Sequence, residues 1–237
     1  MIDIHCHILP AIDDGPADLE TSLAMLRQAE DDGITHIVAT PHYIYKEKPS
    51  VQDISDRLEM VRGKIKQAGI SITLLSGADI RLSYELLNGI EKKEIPMINN
   101  SRYFLLELPD LLPPNLDNFL FNVVVKGYVP VITHPERNYS FLASPAKLDP
   151  LIDSGALIQL TAMSVTGDFG IRQKKFSYML MKKGFVDFIA TDAHNLNRRV
   201  PILSKAFRET ADQFGKDEAD RIFLRNPKAV IENREII

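Results

Sequence analysis

Cysteine is nearly absent from this 237-residue chain, which carries one, Cys6. A single thiol excludes a disulfide framework and any thiolate-rich metal site, and a reducing, cytoplasmic setting is the default expectation. Long apolar runs are also missing. Nothing approaches the ~18 residues of a membrane helix, and the opening MIDIHCHILP has no basic leader. Neither a signal peptide nor a membrane span is expected. Positive charge is in short supply: 28 Lys and Arg face 32 Asp and Glu, for a formal charge of −4. That balance, with no basic stripe, argues against a nucleic-acid partner. No G-x-G-x-x-G follows the first strand, so a dinucleotide-binding reading lacks its main support. A thiol-based tyrosine phosphatase needs Cys-x5-Arg, and Ile12 stands where the Arg would be. Cys6 therefore reads as a small buried apolar residue.

What is present is a folded composition, 45% hydrophobic and 25% charged. Short apolar runs alternate with longer amphipathic segments. Strands are expected at Met1–Ile4, Ile34–Thr40, Ile70–Leu75, Tyr103–Leu108, Val129–Thr133, Ala156–Leu160 and Val186–Thr191. Helices are expected at Asp18–Asp32, Val51–Ala68, Ser83–Lys93, Leu116–Lys126, Pro145–Asp153, Phe169–Lys183, Pro201–Phe214 and Lys216–Leu224. Glycines 33, 69, 127 and 184 sit where helix C-caps belong. No linker or low-complexity stretch interrupts the series, so residues 1–237 read as one domain. Repeated βα units with right-handed crossovers build a parallel sheet. About seven of them suggest an α/β closed or nearly closed barrel, with functional groups at the C-terminal strand ends.

Metal-type side chains fall at those ends. His5 and His7 close the first strand, with Asp14 in the next loop. His42 follows the second strand, Asp79 the third, and Glu107 closes YFLLEL. His134 follows the fifth strand, and Asp192 and His194 the last. An H-x-H pair on extended chain points both imidazoles to one side, because strand side chains alternate; D-A-H pairs a carboxylate with an imidazole in the same way. Nine donors are too many for one ion and enough for three if a carboxylate bridges. A His/Asp/Glu set without Cys suits Mn, Fe, Zn, Ni or Co. His36, inside a strand, reads as structural. Asp3 is either a partner for an imidazole or a strand-end cap, and Asp13 reads as a turn residue. Tyr43, Tyr45 and Tyr139 fall in mouth loops, where they could stack on an aromatic substrate.

The segments MIDIHCHILPAIDDGP, TPHY, NNSRYFLLELP, PVITHPERN and ATDAHNLNRR resemble the polymerase-and-histidinol-phosphatase (PHP) superfamily. More closely they resemble its CpsB/CapC/YwqE branch of bacterial manganese-dependent protein tyrosine phosphatases, from Met1 to about Asn226. The resemblance implies a distorted (β/α)7 TIM-like barrel with a three-metal centre, Mn2+ foremost and Fe, Zn, Co, Ni or Mg as other occupants. By matching positions, His5, His7, Asp192 and a bridging Asp79 would hold the first ion. Asp79, Glu107 and His134 would hold the second, and Asp14, His42 and His194 the third. Arg137 and Arg199 match family arginines that contact phosphate. One position departs: relatives carry Glu where this chain has Asp79, a side chain shorter by one methylene.

The implied chemistry is phosphomonoester hydrolysis by a metal-bridging hydroxide, with the arginines on the phosphoryl oxygens. The implied partner is the phosphotyrosine-containing tail of a bacterial tyrosine autokinase of capsule or exopolysaccharide synthesis. Rival readings are a PHP small-molecule phosphatase acting on a histidinol-phosphate-like substrate, a 3′–5′ exonuclease, disfavoured by the acidic charge, and a non-catalytic metal-stabilised regulator. Oligomeric state and general acid are open.

Overall fold

The computed structural model describes residues 1–47, 49–83 and 85–236. Strands and helices alternate along the chain. They run β1 (Ile2–Cys6), α1 (Leu19–Asp31), β2 (His36–Ala39), β3 (His42–Tyr43), α2 (Val51–Ala68), β4 (Thr73–Ser76), β5 (Asp79–Arg81) and α3 (Leu86–Glu91). Then come β6 (Tyr103–Glu107), α4 (Leu116–Val125), β7 (Val129–Thr133), α5 (Tyr139–Ala143), α6 (Asp149–Asp153), β8 (Leu157–Thr161), α7 (Ala162–Thr166) and α8 (Ile171–Lys182). The series ends with β9 (Phe188–Ala190), α9 (Ser204–Phe214), α10 (Lys216–Asp220) and α11 (Asn226–Ile231). No described helix is long and apolar enough to cross a membrane.

Every strand pairing is parallel. A three-stranded sheet has the order β1-β2-β4, and a six-stranded sheet the order β3-β5-β6-β7-β8-β9. The expected α/β parallel class is thus present. The described strands form no closed ladder; a lone bridge from Cys6 to Ala193 links the region after β9 to the end of β1. The second and third expected strands are present as the shorter β2 and β4, and each is followed by a further short strand that was not expected, β3 and β5. Pro41, which has no N–H, separates β2 from β3. Gly77 separates β4 from β5, where a Cβ would come 2.6 Å from Val38 Cγ1. The expected helix Pro145–Asp153 likewise divides into a single turn at Pro145–Leu148 and α6. The expected helix Ser83–Lys93 shortens to α3, and Tyr84 within it lies outside the described residues.

Local chemistry sets the clean ends. Ser50 and Asp53 form a reciprocal capping box at the start of α2, and Gly69 ends it in the left-handed region. The core lies in two clusters. One is large and packs helices on strands; the other includes Ile2, Ile4, Val38, Leu105, Val131 and Phe188, with Val230 of α11 below. Above this second cluster the same strands turn polar.

Candidate metal centre

The first strand shows how hydrophobic floor gives way to ligands. Its pairing with β2 slips between Asp3 and Cys6, as a bulge does when it re-aims a side chain beside a site. Ile2 before the slip and Ile4 within it pack with Leu105. Above it His5 and His7 reach the same interior as Glu107, which shares a face of β6 with Leu105. His42 and Asp79 are register partners on β3 and β5. His134 and Asp192 follow β7 and β9 in left-handed backbone, with φ of 36° and 50°, a conformation that non-glycine residues adopt at a cost and that concentrates at functional sites.

All nine expected ligands meet, in four overlapping groups whose donor atoms lie within 4.8 Å of one another. They are His7, Asp14, His42 and His194; His5, Asp79 and His134; His5, His7 and Asp192; and His42, Asp79 and Glu107. The grouping resembles the expected three sets with several differences: Asp79 is not grouped with His5, His7 and Asp192, and His5 joins Asp79 and His134. His7 also stands with the third set, and Glu107 stands with His42 rather than His134. Asp192 Oδ1 is 3.4 Å from both His5 Nε2 and His7 Nε2. His194 Nε2 is 3.2 Å from Asp14 Oδ1. Asp14 is exposed and His42 partly so, opening one side of the cluster to solvent, while His5, His7, Asp79 and Asp192 are buried. His36 stands outside, bonded to Thr35. Cys6 is buried in the main core, where burial pushes its thiol pKa up.

The donor set fits metal ions. Among the described residues Asp79 Oδ2 is buried without a hydrogen-bond partner, and His5 Nε2 lies 3.2 Å from His7 Nε2. Buried polar atoms without partners are costly, and divalent ions accept this imidazole and carboxylate set. Burial and the His7 charge lower His194 to about 3, and burial lowers His134 to about 4, so both rings present free lone pairs at neutral pH. Burial opposes charge on His7, but Asp13 and Asp192 outweigh it and hold that imidazole up at about 10. Burial likewise opposes ionisation of Asp192, yet His5, His7, His134 and Arg199 hold its carboxyl well below the usual range. Burial and Asp79 raise Glu107.

Both expected arginines converge on Asp192. The Arg199 guanidinium forms an ion pair with Oδ2 at 2.5 Å, and Arg137 binds the same oxygen. Arg137 also lies over the Phe169 ring, 5.1 Å from its centroid. Asn195 Oδ1 accepts the backbone N–H of Asn197, Arg198 and Arg199, folding the loop that returns Arg199 to the site.

Two residues that orient imidazoles escape the sequence reading. Asp13 is not a mere turn residue: its Oδ2 is 2.7 Å from His7 Nδ1 and accepts His42 N–H at 3.1 Å. Gln159 of β8 places Oε1 2.8 Å from His5 Nδ1. Asp3 serves backbone instead, accepting from His5 N, Thr191 N and Thr191 Oγ1. Of the mouth tyrosines only Tyr139 is exposed. Tyr43 and Tyr45 are buried in the core, Tyr45 bonded to Glu94, because their aromatic bodies pack under the β3 end.

The profile of the family Capsular polysaccharide synthesis, CpsB/CapC, matches residues 1–232. The chain belongs to the CpsB/CapC family. It is 36% identical over 241 residues to the tyrosine-protein phosphatase YwqE of Bacillus subtilis, covering 100% of this chain and 93% of the relative. It is 32% identical over 239 residues to the tyrosine-protein phosphatase CpsB of Streptococcus pneumoniae, covering 98% of each. A crystal structure from work on those two proteins, metal-dependent tyrosine phosphatases, superimposes with a TM-score of 0.96 at 33% identity, covering 100% of this chain and 96% of the other. A histidinol phosphate phosphatase of Lactococcus lactis matches at TM-score 0.58 and 10% identity, a likeness of fold alone.

Proposed function

We propose that this chain is a metal-dependent protein-tyrosine phosphatase whose nine-donor cluster holds three divalent ions, Mn2+ foremost. The observation that carries this reading is the meeting of the nine donors with two arginines drawn to one of them, the Asp192 carboxylate. His5, His7 and Asp192 would hold one ion, Asp79, Glu107 and His134 a second, and Asp14, His42 and His194 a third, with Asp79 bridging. Divalent ions there lower the pKa of water and neutralise phosphoryl charge.

The chain's own residues supply the rest. Arg137 and Arg199 offer planar forks matched to phosphate, and Asp192 holds both in place until a phosphate dianion competes for them. Phe169 under Arg137 limits where that fork can swing. Gln159 and Asp13 fix the rings of His5 and His7. A phenolate leaving group, with an unperturbed pKa of about 10, needs less protonation than an alkoxide. On this reading the two sheets are the parts of one distorted (β/α)7 barrel forming one domain, and the protein works in the cytoplasm. Its substrate is the phosphotyrosine-containing tail of a bacterial tyrosine kinase of capsule or exopolysaccharide synthesis.

The test is hydrolysis of a tyrosine phosphopeptide against histidinol phosphate, with Mn2+ added or chelated. Manganese-dependent turnover of the phosphopeptide is expected, with histidinol phosphate the poorer substrate. Inactivity on both with metal bound overturns the phosphatase reading, and preference for histidinol phosphate replaces it with a small-molecule phosphatase.

A further inference from the structure

Beyond Glu107 the chain continues as Leu-Pro-Asp-Leu-Leu-Pro-Pro. This segment walls a groove of about 480 Å3 with Leu82, Leu87, Leu111, Leu112, Pro113 and Phe119 in its lining, which among the described residues carries no charged side chain. Leu111 is 86% exposed, a large apolar side chain left in water beside an apolar groove.

The groove is tied to the metal centre at both ends. Leu82 follows Arg81 of β5, and its N–H donates to the Glu107 carbonyl at 2.9 Å. Asn138 Nδ2 donates to the carbonyls of Leu108 and Pro109, at 3.3 and 3.0 Å. Tyr139 N and Ser140 Oγ donate to Asp110 at 2.8 and 2.5 Å. Those bonds fasten the groove wall to the loop that presents Arg137. Arg137 and the apolar groove wall are therefore held in one fixed arrangement through Asn138, Tyr139 and Ser140.

We propose that this groove takes a large apolar side chain flanking the phosphotyrosine of the peptide substrate and thereby selects which phosphotyrosines are hydrolysed. The proposal rests on the phosphatase reading above. One apolar side chain entering such a pocket is worth about tenfold in kcat/KM. Leu111 projects into water, so its replacement spares the fold.

The test uses two synthetic phosphotyrosine heptapeptides, one flanked by phenylalanines and one by serines, with para-nitrophenyl phosphate as a substrate that has no flanking chain. The Mn2+-loaded wild-type protein is expected to favour the phenylalanine peptide about tenfold. Leu111→Glu and Leu112→Glu should erase that preference, through KM more than kcat. Val125→Glu, on an exposed apolar residue of α4 outside the groove, should keep it. Equal wild-type rates on the two peptides, or a preference that survives both groove variants, overturn the groove while leaving the phosphatase reading intact. No turnover of any of the three substrates overturns the phosphatase reading and the groove with it.

Discussion

Asp13 is the residue whose role changes most between sequence and structure. Adjacent acids in AIDDGP look alike, yet Asp14 points at His194 and His42 while Asp13 turns back to His7 Nδ1. The loop can close this way because Gly15 has no side chain; a Cβ there would meet the His7 carbonyl at 2.7 Å. A carboxylate on the far nitrogen of an imidazole fixes its orientation and raises its basicity, and such partners typically matter by about 10- to 100-fold in metal affinity. Asp13→Asn is therefore expected to lose Mn2+ affinity by that factor with its fold retained. Competition against a fluorescent chelator measures the first and circular dichroism the second; unchanged affinity would remove Asp13 from the centre. The nine donors that meet in the structure were legible as candidates because strand ends mark them. Asp13 and Gln159 were not, since their partners come from loop closure and from a strand far along the chain.

Elements divide in the same manner. Helix α2 and strand β7 have the bounds expected from sequence, because a capping box, a C-terminal glycine and apolar runs are local signals. The short strands β3 and β5, beyond Pro41 and Gly77, escaped, since they depend on how the chain crosses between the sheets. Gly77 marks where β4 leaves one sheet and β5 enters the other, and it lets the backbone pass close over Val38 and Thr40. Both neighbours are β-branched and buried, so neither yields freely. Gly77→Ala puts its methyl 2.6 Å from Val38 Cγ1, and overpacking of this kind costs about 1–3 kcal/mol. The expected result is a lower urea midpoint with unchanged slope. Because Asp79 lies two residues on, metal affinity should fall as well. A midpoint equal to wild type would show that the crossing has room.

At the scale of the molecule, the centre gathers polar groups from both sheets, so bound ions would clamp the chain from β1 to the segment after β9. A ligand at a thousand times its Kd stabilises the folded state by about 4 kcal/mol per site, which for a chain of this size is roughly 8–16 °C in Tm. Adding Mn2+ to chelator-treated protein should raise Tm by at least that much. The gain should also depend on pH, with a sign set by His7. Asp13 and Asp192 hold that imidazole at about 10, so in the metal-free protein it carries a proton at neutral pH. His134 and His194, at about 4 and 3, do not. An ion taken by His7 must displace that proton, and metal binding that releases a proton strengthens as pH rises. The Mn2+-induced shift in Tm should therefore be larger at pH 8 than at pH 6.5, and Asp13→Asn, which loosens the hold on the proton, should flatten the difference. Calorimetric scans of both proteins with and without Mn2+ at the two pH values measure this. A shift that grows toward low pH would mean that His7 is not a ligand in its neutral form.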